Sequence, residues 1–296
     1  MNSSTSSFSS GSSDTADLSV WIGRSETLRD TAYPTPVIAL GATLDHSATP
    51  AGPGTPLPPL WHWLYFLPMH GQSEIGVDGH ARRGGFLPPV SLPRRMWAGS
   101  QFEFRLPIRI GDRMARTSTI ADLSSKEGRT GRLVFVKVRH ELRCNDATEA
   151  ALVEFHDIVY REAQRPDDVA PPPQRAPEGA AWQRDIVPDE VLLFRYSALT
   201  FNGHRIHYDR KYATEVEGYP GLIVHGPLIA TLLLDLLRRQ MPDADVANFR
   251  FKAVRPTFDL HPFRVSGELL ADGNTAHLWA QDHDGWLTMD ATATLR

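Results

Sequence analysis

The feature that most constrains the fold is a strongly apolar segment around residue 230. Pro227 suits the first turn of a helix that runs to about Arg239, and Arg238 and Arg239 stand in its last turn, where the helix dipole favours cations. The apolar side chains of this helix cover nearly its whole circumference: Leu228, Ile229, Leu232, Leu233, Leu234, Leu236 and Leu237. A helix that is apolar on most sides is buried on most sides. The rest of the chain is therefore expected to enclose it.

Strand-like segments follow this helix and also occupy the first half of the chain. The C-terminal segments are residues 247–254, 263–270, 275–281 and 286–294, with hairpin turns at 272–274 and 282–285. The N-terminal segments are residues 100–108, 114–124, 132–143 and 150–161. Phe102, Phe104 and Leu106 alternate with polar residues, a pattern typical of an antiparallel strand with one covered face. These patterns predict an α+β arrangement, in which an antiparallel sheet is wrapped around a buried helix, repeated twice.

The remaining segments predict shorter helices and a long loop. Helical patterns occur around Trp21–Ala32 and Pro36–Leu44. Residues 71–99 carry too many glycines and prolines for a helix or a central strand, so an ordered loop or flap is expected there. Trp182–Thr200 is expected to form a turn of helix followed by an extended run. Asp209 is expected to cap a short helix.

Composition marks the boundaries between the two halves. Residues 1–17 are rich in Ser and Thr and contain no Lys or Arg, which predicts a disordered tail and neither a secretory signal nor a transit peptide. Residues 162–181 lose all periodicity and contain five prolines, which predicts a linker. The expected domains are therefore residues 18–161 and 182–296.

The overall composition excludes several classes of protein. A formal net charge of −4 gives no basic footprint for nucleic acid. The longest apolar run, residues 222–237, is interrupted by polar residues and is shorter than the roughly 20 residues that a membrane span needs. Cys144 is the single cysteine, so an internal disulfide is excluded and a reducing compartment, the cytoplasm, is expected.

The strongest chemical signal lies between residues 202 and 209. Asn202, His204, His207 and Asp209 stand within eight residues, just before the buried helix. An imidazole exchanges protons near neutral pH, and an amide can hold a water or orient the imidazole. His207 and Asn202 are therefore candidates for activating water. The alternative is that these side chains only knit a turn together.

The start of the apolar helix is a second candidate site. His225, Gly226 and Pro227 mark the helix N-terminus, where free N–H groups and the positive end of the dipole can stabilise a developing oxyanion. Gly226 would let a ligand approach the backbone closely. The alternative is a simple helix cap.

Cationic residues and residues able to bind a metal form two further candidate groups. Arg82, Arg83, Arg94 and Arg95 flank the Gly/Pro-rich loop beside Trp97, which suits recognition of phosphate or carboxylate as well as a solvated basic rim. Four residues could together bind a metal ion: His204, His207, Asp209 and His225. The glutamate of the usual helical zinc motif is missing, so no metal is expected.

Residues 201–209 and 224–228 resemble the MaoC-like and type 2 hydroxyacyl-thioester dehydratase family, whose motif reads Gly-Asp-x-Asn-Pro-Ile-His-x-Asp. Here the stretch reads Phe-Asn-Gly-His-Arg-Ile-His-Tyr-Asp, so His207 falls on the family's catalytic histidine and Asn202 replaces its catalytic aspartate. Residues 78–80, 84–90 and 93–97 resemble the mesaconyl- and itaconyl-CoA hydratase branch, in which two hot-dog domains are fused.

The resemblance implies a hydro-lyase that adds water reversibly across the α,β double bond of an acyl-CoA thioester. His207 would be general base and acid, Asn202 would orient water or the imidazole, and the Gly226 amide would polarise the thioester carbonyl. The residues expected to contact substrate are His204, Arg205, Asp209, His225, Arg94, Arg95 and Trp97.

A small branched dicarboxylic acyl group would place its carboxylate near Arg94, Arg95 or Arg205. No cofactor is expected beyond the CoA of the substrate, and a homodimer or higher homo-oligomer is expected. A hot-dog thioesterase and a non-catalytic acyl-CoA binding protein remain the alternatives, and Asn202 favours the second.

Overall fold

The computed structural model describes residues 18–128, 131–163 and 172–296, and within them ten antiparallel strands form one continuous sheet. The predicted tail, residues 1–17, and the centre of the predicted linker, residues 164–171, lie outside the described residues. The strands are β1 (Ser25–Thr31), β2 (Arg94–Phe104), β3 (Arg113–Gly128), β4 (Gly131–Cys144), β5 (Leu152–Arg161), β6 (Trp182–Ile186), β7 (Val246–Ala253), β8 (Phe263–Leu269), β9 (Thr275–Gln281) and β10 (Leu287–Leu295). The α-helices of the described residues are α1 (Pro34–Thr43), α2 (Glu190–Thr200) and α3 (Gly226–Gln240).

The two halves of the sheet repeat one topology. The order across the sheet is β1-β3-β4-β5-β2-β7-β10-β9-β8-β6, so each half uses its strands in the order first, third, fourth, fifth, second. β2 and β7 pair antiparallel at the centre, with Ser100 opposite Phe251, and this pairing makes one sheet from two.

The predicted apolar helix is α3, and the second half of the sheet encloses it. α3 packs against β6, β8, β9 and β10, and ten of its residues, Leu228 to Leu237, are buried. Asp235 is the one ionisable residue among them. Its carboxylate accepts from Arg184 at 3.0 Å and Arg239 at 2.8 Å and lies 2.7 Å from Nε2 of His46, so an N-terminal residue helps to hold the C-terminal helix.

The first half has no counterpart of α3 among the described residues. Its helix α1 follows β1 as α2 follows β6, and α1 packs against α2. Between α1 and β2 the chain forms only the 3₁₀ turns Trp61–Leu64 and Gln72–Glu74 and irregular loops. The inner face of the N-terminal sheet is therefore covered by loops rather than by a long helix.

Two expectations for the local structure are wrong. The expected helix around Trp21–Ala32 is mainly strand β1, because its charged side chains are those of a half-exposed edge strand that pairs with β3. Trp182–Thr200 forms a strand and then a helix, the reverse of the expected order. Asp189 caps α2 by accepting from the Leu192 amide at 2.8 Å, a start signal that decides where the helix begins.

Three other expectations hold with shifted boundaries. The helix expected at Pro36–Leu44 is α1, and the loop at 71–99 ends earlier than expected because β2 begins at Arg94 and pairs there with β5. Asp209 caps the turn that follows it, since its carboxylate accepts from the Tyr212 amide at 3.0 Å.

Candidate active site

The turn that carries the polar motif begins where α2 ends. Phe201 adopts a left-handed conformation, with φ of 50°, and closes the helix. The Asn202 amide then donates to the Ser197 carbonyl at 2.8 Å, and its side-chain Oδ1 accepts from the His204 amide at 3.0 Å. Asn202 therefore makes the contacts expected of a residue that only stabilises the turn. It also lines a cavity.

His207 is held in one tautomer and in its neutral form. Its Nδ1 lies 2.7 Å from the carbonyl oxygen of Ile223, which can only accept, so Nδ1 carries the proton and Nε2 carries the lone pair. Burial lowers the pKa of His207 to about 4. Near neutral pH this imidazole is therefore a base with one available nitrogen.

His225 supports the His207 ring from behind. The two rings stack with centroids 3.7 Å apart, and Nε2 of His225 lies 2.8 Å from the hydroxyl of Ser197. His225 is fully buried, and burial lowers its pKa well below 6.5. It acts as a neutral support for His207, at the position that precedes α3.

Gly226 occupies the first position of α3, and nothing in the protein fills the space beside it. A Cβ built on Gly226 would have Met289 Cε as its nearest neighbour, at 4.0 Å. The amides of Gly226 and Leu228 have no backbone acceptor among the described residues. The N-terminus of α3 thus keeps N–H donors that no backbone carbonyl of the described residues accepts from, and the role of Gly226 as an oxyanion site stays a prediction.

A loop of the N-terminal half docks on this turn. Gly79 has φ of 90°, and a Cβ built there would lie 1.8 Å from the Gly203 carbonyl oxygen, so only glycine fits. The Arg205 amide donates to the Asp78 carbonyl at 2.9 Å. The loop brings His80, on the cavity wall, to the polar motif of the other half.

Asp78 and His80 form a carboxylate–imidazole pair. Nδ1 of His80 lies 3.0 Å from Oδ2 of Asp78, and the His80 ring lies 4.0 Å from that of His204. Burial lowers the pKa of His80. Burial alone would raise the pKa of Asp78, but the hydrogen bonds and charge of His80 lower it below its usual value. The pair is therefore carboxylate and neutral imidazole near pH 7.

The structure also shows which histidines could share a cation. One ligand atom each from Asp78, His80 and His204 lies within 4.8 Å of the others. The set weighed from the sequence is different, because Asp209 faces away from these groups and binds Arg205, accepting from its Nη2 at 2.7 Å. The absence of a metal stays a prediction, and Asp78 already has His80 as its partner.

A cavity of about 830 Å³ lies between the two halves next to this turn. Three of the predicted site residues line it: Asn202, Arg95 and Trp97. The other predicted site residues are not part of its wall: His204, Arg205, His207, Asp209, Gly226, His225 and Arg94. His80 and Pro227, at the tip of α3, complete the part of the wall nearest the motif.

Two of the expected carboxylate-binding arginines are occupied within the protein. Arg205 donates to Asp209 and, through Nη1, to the Val77 carbonyl at 3.0 Å, so it fastens the N-terminal loop to the motif. Arg94 donates to the Glu217 carbonyl at 3.0 Å. Arg95 alone of the three faces the cavity. Trp97 also faces it, with its ring 4.0 Å from that of His156.

Sequence reasoning missed a group of polar residues on the inner face of the N-terminal sheet. We call this group the polar belt: Ser100, Arg116, Ser118, His140, Glu154 and His156. Four of its members line the cavity: Arg116, His140, Glu154 and His156. The available signal was the alternation along β3, β4 and β5, which puts these residues on the same face as Met114, Leu142 and Leu152.

Comparison with known proteins places the chain in a family. The family model described as hydroxyacyl-thioester dehydratase type 2 matches residues 60–259. The mesaconyl-C(4)-CoA hydratase of Chloroflexus aurantiacus is 45% identical over 285 residues, which cover 95% of this chain and 98% of the relative. This chain belongs to the type 2 hydroxyacyl-thioester dehydratase family. The family's hydratase and dehydratase activities are those of lyases, as the motif predicted. The mitochondrial type 2 dehydratase of Schizosaccharomyces pombe is 26% identical over 260 residues, covering 76% of this chain and 80% of that protein.

Solved structures of similar fold confirm the predicted fold of this chain. HtdX from Mycobacterium tuberculosis aligns with a TM-score of 0.63 at 18% identity, covering 90% of this chain and 98% of that one. A M. tuberculosis protein described as having a double hotdog fold aligns with a TM-score of 0.56 at 13% identity, covering 93% and 96%. The predicted α+β fold of two fused hot-dog domains is therefore confirmed. No helix of the described residues is long and apolar enough to cross a membrane.

Proposed function

We propose that this hydratase adds water to mesaconyl-C(4)-CoA, a thioester whose acyl group carries a free carboxylate. The identity of 45% with a hydratase named for that substrate supports the choice. The observation that carries the proposal is the neutral His207, whose proton is fixed on Nδ1 by Ile223, in a turn whose Asn202 lines the inter-domain cavity. Such a site can take a proton from water without first losing one of its own.

The chemistry can be written from this arrangement. Asn202 holds a water at the cavity wall, and Nε2 of His207 accepts its proton while the water oxygen bonds to the β-carbon. Electron density moves through the double bond to the thioester carbonyl oxygen, where the free amides at the start of α3, beginning with Gly226, stabilise the enolate. The proton that His207 took from the water is then passed on to the α-carbon, so the His207 imidazole ends neutral again. The sum is addition of one water, and the reverse sequence is dehydration.

Asn202 cannot carry a proton as an aspartate could, so another group has to share with His207 the transfer of that proton to the α-carbon. His80 lies on the cavity wall whereas His207 does not, and Asp78 orients His80 through Nδ1. We assign to the Asp78–His80 pair the role in proton transfer that an aspartate at position 202 would otherwise have. The N-terminal half would then supply one catalytic imidazole and the C-terminal half the other.

The surroundings of the reaction also remain proposals. The substrate enters as an acyl-CoA thioester, and no cofactor is required beyond that CoA. The single cysteine supports a reducing compartment such as the cytoplasm. A homodimer or higher homo-oligomer stays a prediction, for which mass measurement in solution is the test.

An assay that follows two signals tests the proposed function. The purified chain is offered mesaconyl-C(4)-CoA and crotonyl-CoA, and loss of enoyl absorbance is recorded beside the appearance of free thiol. Hydration predicts that absorbance falls while the thiol stays masked. Thiol release in step with substrate loss would identify a thioesterase instead. Binding with no change in either signal would identify a non-catalytic acyl-CoA binding protein.

A further inference from the structure

The polar belt crosses a face of the sheet that is otherwise apolar. Ser118, His140 and Glu154 lie directly opposite one another on β3, β4 and β5, and Ser100 lies opposite His156 on β2 and β5. On one side the belt meets buried residues Met114, Leu142, Leu152 and Phe102, and on the other it meets Ile120, Val138, Ile158 and Tyr160. A row of polar groups between two apolar clusters is costly unless it binds something.

Glu154 is satisfied within the protein. One carboxylate oxygen accepts from the Ser100 hydroxyl at 3.1 Å, and the other accepts from Trp63 Nε1 at 3.3 Å and lies 3.5 Å from Nε2 of His62. Burial alone would raise the pKa of Glu154, but the nearby imidazoles of His62, His140 and His156 lower it to about 2. Glu154 is therefore an ionised anchor of the belt with little capacity left for a ligand.

Arg116 is not satisfied. Its Nε is buried with no hydrogen-bond partner, and its guanidinium makes no ion pair within 4 Å among the described residues. Its Cζ lies 5.0 Å from the centre of the Phe66 ring, and the carboxylates of Glu154 and Glu26 attract its charge from farther away. A guanidinium that lines a cavity with unused donors is placed to bind an anion in a fixed orientation.

The other cavity-lining residues of this region add polar ring nitrogens and a second guanidinium. Nδ1 of His140 contacts the Ser118 hydroxyl at 2.8 Å, which leaves Nε2 for the cavity, and His156 makes no hydrogen bond among the described residues. Arg95 lines the same wall beside Tyr160. Arg95 and Arg116 bring two guanidinium groups to this wall, and the carboxylates that line the same cavity are Glu154, already hydrogen-bonded, and the half-buried Glu26 of edge strand β1.

We propose that Arg116, with Arg95, His140 and His156, forms a binding subsite for the free carboxylate of a dicarboxylic acyl group. The inference rests on the proposed function and names the part of the protein that would select its substrate. A carboxylate is favoured over the phosphates of CoA because the belt lies on the inner face of the sheet, between two clusters of the buried core. The cationic residue that would distinguish a dicarboxylic thioester from a plain enoyl thioester is then Arg116, which no motif marks.

Saturated thioesters test the subsite without relying on turnover of the probe. Succinyl-CoA carries a carboxylate where butyryl-CoA carries a methyl group, and both are used as competitive inhibitors of crotonyl-CoA or mesaconyl-C(4)-CoA hydration. The parent chain is expected to bind succinyl-CoA at least tenfold more tightly than butyryl-CoA. Arg116→Leu should weaken the binding of succinyl-CoA by about 100-fold, as expected for loss of one partner of a buried charge pair. The binding of butyryl-CoA should change by less than about threefold.

Three further variants keep the test interpretable. Arg116→Lys retains the charge without the planar fork and should weaken succinyl-CoA by roughly 10-fold. Arg139→Leu is the matched control, because Arg139 lies on β4 next to His140 but pairs with Glu141 at 2.7 Å instead of facing the cavity. It should leave both inhibition constants within about twofold. If Arg116→Leu does not fold, Arg116→Lys and His156→Gln are compared instead. Each should weaken the binding of succinyl-CoA more than that of butyryl-CoA.

The outcomes separate this inference from the proposed function. Hydration of enoyl-CoA with equal loss of both inhibitors in Arg116→Leu would mean that Arg116 only supports the fold, and the subsite would be wrong while the hydratase stood. Unchanged inhibition by succinyl-CoA in a folded Arg116→Leu would refute the subsite in the same way. If the parent chain hydrates no enoyl-CoA at all, the proposed function and the inference built on it both fail.

Discussion

The two halves of this protein have the same strand order and opposite interiors. In the C-terminal half, the inner face carries small and apolar residues such as Val265, Leu278 and Ala291, and α3 covers it. In the N-terminal half no helix of comparable length is present among the described residues, and the polar belt crosses the inner face. One sheet therefore encloses its own helix, while the other is left to line a cavity of about 830 Å³.

This difference suggests a division of roles within one repeated fold. The filled half offers a rigid platform, because α3 fixes His225, Gly226 and the turn before them. The open half offers space and charge for the acyl group. The long connection between α1 and β2 places Asp78 and His80 next to the polar motif of the other half.

The largest expected effect is that of His207→Ala. Removing the base should lower kcat by more than about 1000-fold, within the range measured for general acid–base groups. Thermal unfolding should change little by comparison, and His283→Ala, an exposed histidine, serves as the control. Retention of more than about a tenth of the parent rate would remove His207 from the mechanism and shift the chemistry to the N-terminal loop.

Asn202 is the second position, and two substitutions sharpen its role. Asn202→Ala should slow hydration by roughly 10- to 1000-fold, because a group that holds water in a dry site is lost. Asn202→Asp restores the family's carboxylate and should keep substantial activity while adding a second titrating group to the pH–rate profile. If both variants match the parent, Asn202 is only a turn residue.

The Asp78–His80 pair tests whether the open half takes part in the chemistry. His80→Ala should lower kcat by about 100-fold. Asp78→Asn should lower it by roughly 10-fold, because the imidazole loses the partner that orients it. The pH–rate profile of Asp78→Asn should also shift. A change confined to KM would mean that the loop only closes the cavity.

The smallest expected effect is on stability against pH. Burial lowers the pKa of His207 and of His140 to about 4 and that of His156 to about 3, below the unfolded value near 6.5. Each neutral histidine therefore favours the folded state above pH 6.5, and this contribution is lost as the pH falls from 6.5 toward 4. Urea unfolding should show the free energy decreasing across that window.

Replacing one histidine in each half compares how the two halves contribute to the pH dependence of stability. His140→Gln in the N-terminal half and His207→Gln in the C-terminal half should each flatten the slope of stability against pH, by an amount on the order of 1 kcal/mol across the window. A parent protein whose stability is constant from pH 6.5 to 4 would contradict the burial argument for both halves.

The sequence predicted the central elements of both halves and missed the first elements of each. The helix α3, the strands β7 to β10 and the spacing of Asn202, His207 and Gly226 follow from local patterns and a contiguous motif, whereas β6 and α2 were expected in the reverse order. Strand β1 could not be recognised because an edge strand can be as polar as a surface helix, and its pairing with β3 is tertiary. The polar belt was missed because Arg116, His140 and Glu154 are distant in sequence and only the sheet register unites them.

A crystal structure of the protein with succinyl-CoA bound tests the division of roles between the two halves. We expect the thioester carbonyl at the start of α3 near Gly226 and the acyl carboxylate within hydrogen-bond distance of Arg116 on the inner face of the N-terminal sheet. An acyl group bound outside that cavity, or a carboxylate turned to solvent with Arg116 still unpaired, would contradict the division of roles between the two halves.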